Sequence, residues 1–124
     1  MKNNNNFISG RVKSVQYAVV GAYKLLTTEH SIMAQTAIGL SLIGAGFWFE
    51  ISKTEWLFQT LAFGLVLSIE GLNTAVEKIA DFIHPDYHQK IGFIKDIAAG
   101  AVFFAAMTAI IIGCIIYAPL ILKL

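Results

Sequence analysis

The sequence IAAGAVFFAAMTAIIIGCIIYAPLIL, residues 97–122, contains 26 consecutive residues without a charged side chain. A bilayer core about 30 Å thick requires about 20 helical residues, so this segment is long enough to cross a membrane by itself. Two further apolar segments precede it, at residues 31–49 and 56–83, and the later one carries polar side chains in its C-terminal half. The sequence therefore predicts an all-α membrane protein with three transmembrane helices.

The composition also indicates a membrane protein. Hydrophobic residues make up 56% of the chain and charged residues 14%, whereas soluble proteins have about 25% charged residues. The net charge of +1 is too small to indicate a nucleic-acid-binding protein. The single cysteine, Cys114, excludes an internal disulfide and a cysteine-based zinc site. A length of 124 residues suits one membrane domain spanning residues 1–124.

The N-terminal region predicts a surface helix over residues 11–27. Basic residues lie off a stripe of apolar side chains at helical spacing, formed by Val12, Val15, Val19, Ala22 and Leu26. A basic amphipathic helix of this kind lies in the membrane interface. The alternative is an ordinary helix packed on protein. Residues 1–10, which include four consecutive asparagines, are expected to form a flexible tip.

The distribution of positive charge predicts the orientation. Seven of the nine Lys and Arg residues lie in the N-terminal region or around the second connection, and two, Lys53 and Lys123, lie in the first connection and the tail. Cytoplasmic loops carry the excess of Lys and Arg. The N-terminus is therefore expected in the cytoplasm and the C-terminus outside.

The third apolar segment carries a small residue at every fourth position, namely Ala101, Ala105, Ala109 and Gly113. Small residues allow membrane helices to approach closely, so this stripe predicts helix packing. Three helices form a thin bundle in which to bury carboxylates, which suggests an oligomer.

The most informative stretch is EGLNTAVE, residues 70–77. Glu70, Asn73 and Glu77 are spaced i, i+3 and i+7, so they lie on one helical face. The 21 residues from Trp56 to Glu77 span about 32 Å. If Trp56 marks the outer interface, Glu77 lies near the inner one and Glu70 lies about 10 Å deeper. An ionisable residue at such a depth indicates a function.

This arrangement fits phosphoryl transfer to a lipid alcohol. Mg²⁺ is usually held by one or two carboxylates together with phosphates and water, and Glu29 and Glu77 are the candidate ligands at the inner level. Removal from water makes a carboxylate a stronger proton acceptor, which suits Glu70 as the general base. Lys95, together with Arg11 or Lys24, is a candidate for contacts with nucleotide phosphates. The chain has neither a GxxxxGK[ST] nor a DFG element, so a nucleotide site of another kind is expected.

Two non-enzymatic alternatives are a channel or transporter subunit and a structural scaffold. A channel or transporter would explain the intramembrane carboxylate of Glu70. It would not need Glu29 and Glu77 to meet at one level beside Lys95. A scaffold leaves Glu70 unexplained. ATP-dependent labelling of a lipid extract distinguishes a kinase from both alternatives.

Residues 70–77 match the E-x-x-N-[ST]-A-[IV]-E signature of the prokaryotic diacylglycerol kinase family, which includes undecaprenol kinase. The resemblance covers about residues 11–119. It implies a lipid kinase that depends on ATP and Mg²⁺. It also implies a homotrimer in the bacterial cytoplasmic membrane, with active sites between protomers. Residues 95–102 and 113–119 look more like the undecaprenol kinase branch, so undecaprenol is the favoured substrate and diacylglycerol the alternative.

The resemblance also implies individual roles. Glu70 resembles the catalytic base and Asn73 the active-site asparagine. Glu29 and Glu77 resemble the magnesium ligands. The residues that resemble the nucleotide site are Tyr17, Asp86, Tyr87, His88, Lys95 and Asp96. Arg11 lies one position away from an arginine that some members place near the start of the surface helix, and is a candidate phosphate contact.

Overall fold

The computed structural model describes residues 5–124, which form four helices: α1 (Asn5–Thr28), α2 (His30–Trp48), α3 (Lys53–Ile83) and α4 (Gln89–Leu122). Helices α2, α3 and α4 are long and apolar enough to cross a membrane. The expectation of an all-α chain with three membrane-length helices is thus confirmed. We call the end of the bundle that contains Glu29 and the α3–α4 connection the inner end, and the end that contains the α2–α3 turn the outer end.

Helix α1 begins at Asn5, six residues earlier than expected, so residues 5–10 of the expected tip are helical. Residues 1–4 lie outside the described residues. The physical reason is that the apolar stripe continues backwards, since Ile8 lies one turn before Val12. In addition, the Arg11 guanidinium carbon lies 5.8 Å from the centre of the Phe7 ring, one turn away.

The turn between α2 and α3 explains where both helices end. Glu50 adopts a left-handed conformation with φ of 52°, and the Ile51 N–H donates to the Gly46 carbonyl at 3.1 Å. Ser52 and Glu55 then form a reciprocal capping box, in which each side chain accepts from the other residue's backbone N–H. Helix α3 therefore begins at Lys53, three residues before the expected start of the span at residue 56.

Helix α4 begins eight residues before the expected span of residues 97–122, which is only its apolar part. The Lys90 N–H donates to Nδ1 of His88 at 3.0 Å, which caps the first turn. Polar side chains in the first two turns did not end the helix, because they can reach water at the inner end.

Contacts between α2 and α3 show that these helices run antiparallel. A Cβ atom added to Gly39 would overlap the ring of Phe63, and one added to Gly46 would lie 2.6 Å from the indole of Trp56. Gly39 is therefore level with Phe63, and Gly46 with Trp56. Both glycines are needed for this close approach, because no side chain fits between the helix and the aromatic ring.

Helix α4 runs antiparallel to α3 and is fixed by polar contacts at both ends. At the inner end, Lys95 Nζ donates to Asp81 Oδ1 at 2.6 Å. At the outer end, the Tyr117 hydroxyl donates to the side-chain oxygen of Gln59 and to the Leu42 carbonyl, the latter at 3.0 Å. These contacts place every residue of α3 at a defined level relative to α2 and α4.

Candidate active site

Glu70 lies inside the bundle, where its residue surface is only 7% exposed. Continuing the antiparallel register from Gly39 and Phe63 places it level with Ile32 of α2, which is 2% exposed. On the α4 side it lies level with Ala105, which is 3% exposed. A carboxylate this deeply buried in a membrane-length helix is costly, which favours a functional role. Its assignment as the base stays a prediction.

Asn73 and Glu77 form a pair one turn apart on the same helix. The Asn73 Nδ2 donates to Glu77 Oε1 at 2.7 Å, so the amide holds this carboxylate in one orientation. The Oδ1 atom of Asn73 is buried and has no hydrogen-bond donor among the described residues. The pair thus offers a carboxylate and an unpaired acceptor two turns or less from Glu70.

Glu29 lies at the junction of α1 and α2 and approaches α3. Its Oε1 lies 3.5 Å from Nζ of Lys78. The α2–α3 register places Glu29 level with Asn73, within about a turn of Glu77, but the described contact of Glu29 is with Lys78 on the neighbouring face of α3. Residues 5–124 contain no group of three potential metal-ligating side chains.

Two carboxylates are nevertheless a suitable donor set for Mg²⁺, since substrate phosphates and water usually supply the remaining ligands. Glu29 and Glu77 would hold the ion, with Glu77 already oriented by Asn73. The ion would neutralise phosphate charge during transfer. The magnesium role of the pair stays a prediction.

The α3–α4 connection gathers polar groups at the inner end. His84 Nδ1 lies 2.7 Å from the Asp86 carbonyl, and its ring lies 5.2 Å from that of His88. Tyr87 is exposed and packs beside Gly92. Asp96 is also exposed. Such groups are accessible to a nucleotide, although their role in binding one stays a prediction.

Lys95 and Asp96 do not form the local pair that adjacent opposite charges suggest. Lys95 bonds instead to Asp81 across the α3–α4 interface. Its side chain is 37% exposed, so its ammonium group is still accessible to a phosphate from the aqueous side. Asp81 is therefore a positioning partner for Lys95.

Tyr17 and Arg11 lie on α1, away from the residues described above. Helix α1 touches α3 near Leu25, whose Cδ1 atom would lie 3.1 Å from a Cβ at Gly71. Tyr17 is two turns from Leu25 and is 74% exposed, and Arg11 stacks on Phe7 instead. The described contacts do not join either residue to Glu70.

Three features of the structure were not predicted from the sequence. Lys78 pairs with Glu29, Thr36 has a buried hydroxyl without a partner among the described residues, and Gln59 bonds to Tyr117. The signal for Gln59 was available, because it is an amide within the apolar run that starts at Trp56. The signal for Thr36 was not, because a threonine in a membrane helix is ordinarily satisfied by its own backbone.

The fold and site define a small helical membrane protein with an acidic site at the inner end of its bundle. The family model for prokaryotic diacylglycerol kinase matches residues 16–117. The chain is 34% identical to undecaprenol kinase of Bacillus subtilis, over 95% of this chain and 96% of that protein. It is 33% identical to a diacylglycerol kinase of Synechocystis, over 86% of this chain and 62% of that protein. It is 26% identical to diacylglycerol kinase of Escherichia coli, over 94% of this chain and 95% of that protein.

The chain belongs to the prokaryotic diacylglycerol kinase family. Membership and the three long apolar helices together identify an integral membrane protein. The family resemblance carried by residues 70–77 is thereby confirmed.

Proposed function

We propose that this protein is a lipid kinase that transfers the γ-phosphoryl group of MgATP to the hydroxyl of a membrane lipid alcohol, with undecaprenol favoured. The observation that carries the proposal is the buried carboxylate of Glu70, 7% exposed and two turns from Glu77. A channel or transporter subunit would not require the oriented carboxylate of Glu77 or the approach of Glu29 to the same level.

The chemistry follows from this placement. The lipid hydroxyl reaches the bundle at the level of Glu70, which accepts its proton while the hydroxyl oxygen bonds to the γ-phosphorus. The bond from that phosphorus to the β–γ bridging oxygen breaks, and ADP leaves. Glu70 lies where the apolar layer meets the polar inner end, so it can serve a hydroxyl whose chain stays in the bilayer. General base catalysis of this kind contributes about 10²–10⁴-fold.

We propose further that the protein acts as a homotrimer with sites between protomers. Tyr17 and the residues of the α3–α4 connection are exposed in one protomer and do not meet there. A neighbouring protomer would bring them to one nucleotide. Large apolar side chains such as Phe47, Trp48 and Phe82 are exposed as well, as expected for surfaces that face lipid or another protomer.

We propose that the N-terminus lies on the cytoplasmic side of a bacterial inner membrane and that α1 lies in the interface. The apolar stripe of α1, including Val12, Val15 and Val19, is exposed in the protomer. This exposure favours contact with lipid over packing on protein. A cytoplasmic inner end also gives the site access to ATP.

The substrate assignment is supported by the match to undecaprenol kinase over 96% of that protein's length. The second candidate is diacylglycerol, favoured by the Synechocystis diacylglycerol kinase, which is 33% identical. The test is an ATP-dependent assay with purified protein in mixed micelles that hold equal mole fractions of both lipids, with Glu70→Gln as the control. The expected result is a higher kcat/KM for the polyprenol. A kcat/KM ten times higher for diacylglycerol, equivalent to about 1.4 kcal/mol, would show that diacylglycerol is the substrate, and the assignment as a lipid kinase would still stand.

A further inference from the structure

A cavity of about 150 Å³ lies between α2, α3 and α4, outward of Glu70. Its lining is mainly apolar and includes Ile38, Phe63, Val66, Ile112 and Gly113. We call it the interhelical cavity. It is bounded by three helices of one chain.

Gln59, at the outer end of the interhelical cavity, is already paired, and the other polar lining residues are Thr60 and Gln35. The Nε2 of Gln59 donates to the Leu42 carbonyl at 3.2 Å, and its Oε1 accepts from the Tyr117 hydroxyl. A ligand therefore meets an apolar space that is closed at its outer end by satisfied hydrogen bonds. Such a cavity favours hydrocarbon over water, because a water molecule needs at least two polar partners.

The inner end of the cavity lies close to the reacting level. Val66 lies four residues outward of Glu70, about 6 Å along the helix. Gln59 lies eleven residues outward, about 16 Å. The chain of a lipid whose hydroxyl is at Glu70 must pass the level of the cavity within its first carbon atoms.

We propose that the interhelical cavity binds the first isoprene unit of a polyprenol, and thereby selects the polyprenol as the acceptor; this proposal rests on the proposed kinase function. An apolar cavity of about 150 Å³ is known to accommodate a benzene-sized group, and a five-carbon isoprene unit is of similar size. In a polyprenol, hydrocarbon starts at the carbon that bears the hydroxyl. In a diacylglycerol, glycerol and two ester groups come first. Gln35 is the polar lining residue at this end of the cavity, whereas Val66 and Phe63 offer no donor, so burying ester carbonyl oxygens against these two side chains is costly.

Filling the cavity tests this proposal. Gly113 lines the cavity, and a Cβ atom there would meet no other atom within 4 Å. Gly113→Leu therefore adds side-chain atoms to the lining without an overlap at Cβ. Gly64 is the matched control, because a Cβ there also meets nothing within 4 Å. It lies at nearly the same depth but lines a separate shallow groove on α3 with Leu57 and Leu61.

The readouts are KM and kcat for a polyprenol and for diacylglycerol. Gly113→Leu should raise the KM for the polyprenol at least tenfold, or about 1.4 kcal/mol. It should leave the values for diacylglycerol, and the KM for ATP, unchanged. Gly64→Leu should change all of them by no more than about twofold. Equal effects of the two substitutions on the polyprenol would overturn the proposal. A larger effect of Gly113→Leu on diacylglycerol than on the polyprenol would also overturn it. In that case Gln35, at the inner end of the cavity, would donate to an ester of the diacylglycerol.

A binding experiment tests the cavity directly, and it applies even if Gly113→Leu does not fold or no lipid is phosphorylated. A polyprenol with a diazirine on its first isoprene unit is photolysed with the full-length wild-type protein in micelles without ATP. Labelling of Phe63 and Ile112 that unlabelled polyprenol suppresses is the expected result. Labelling confined to the groove near Leu57 and Leu61 would refute the assignment. If neither lipid is phosphorylated by the wild type but Phe63 is labelled, the kinase proposal fails and the cavity remains a polyprenol site.

Discussion

Replacing Tyr117 by phenylalanine removes one hydroxyl from the outer end of the bundle and nothing else. That hydroxyl has a single proton, shared between the side-chain oxygen of Gln59 and the carbonyl of Leu42. The Gln59 amide also donates to Leu42, at 3.2 Å. These three residues lie on three different helices, so the group fixes α2, α3 and α4 relative to one another.

The expected cost can be worked out from these contacts. Tyr117→Phe leaves Gln59 Oε1 buried without a donor, and an unsatisfied buried group costs about 1–3 kcal/mol. Hydrogen bonds between membrane helices contribute about 0.6 kcal/mol on average and about 1.7 at most. We therefore expect a loss of about 1–2 kcal/mol. Gln59→Leu should cost less, since the Tyr117 hydroxyl can still donate to Leu42.

The double variant decides whether this reasoning is correct. With Gln59→Leu and Tyr117→Phe together, no buried side-chain group of the network is left unpaired, so the double variant should be more stable than Tyr117→Phe alone. The assay is unfolding in mixed micelles by increasing mole fraction of a denaturing detergent, followed by circular dichroism. Additive losses in the double variant would refute the coupling.

Four further predictions concern the site and the topology. Glu70→Gln should lower kcat by about 10²–10⁴-fold with MgATP binding retained, whereas a change confined to the KM for ATP would place this residue in nucleotide binding. Glu77→Gln should abolish most activity at limiting Mg²⁺ and recover part of it at high Mg²⁺; near-normal turnover at limiting Mg²⁺ would show that the ligand is misassigned. Gly39→Ala should destabilise the bundle by about 1–3 kcal/mol through overpacking, while Gly44→Ala, where a Cβ meets nothing within 4 Å, should not. A reporter fused to the C-terminus should lie outside the cytoplasm, and a cytoplasmic signal would contradict the predicted orientation.

The membrane-length helices could be predicted from the sequence because the bilayer imposes a length and a composition that few other environments require. Their ends could not, because they depend on local caps. The Ser52–Glu55 capping box starts α3 among polar residues, and His88 does the same for α4. Apolarity alone marks only the part of each helix that faces lipid.

The shared face of Glu70, Asn73 and Glu77 could also be predicted, since it follows from helical periodicity within one element. The partners of these residues come from other elements and were not evident. Lys78 approaches Glu29 only because α1 and α2 meet beside α3. Asp81 accepts a hydrogen bond from Lys95 because the antiparallel register of α3 and α4 places the two residues together. Pairings across elements depend on register, which composition and spacing do not encode.

The polar groups of the bundle differ between its two ends in a way that bears on function. At the outer end, Gln59 and Tyr117 satisfy each other within one protomer. Among the side chains described, the buried atoms without a partner are Oγ1 of Thr36 and Oδ1 of Asn73. The antiparallel register places both within about a turn of the level of Glu70, one on either side. Buried groups without partners are costly and call for a specific explanation, such as a ligand. Under the proposed function, the oxygen of a lipid alcohol near Glu70 would accept from the hydroxyl of Thr36, and a water molecule or the lipid hydroxyl would donate to Oδ1 of Asn73. The unpaired atoms and the buried carboxylate therefore point to one site.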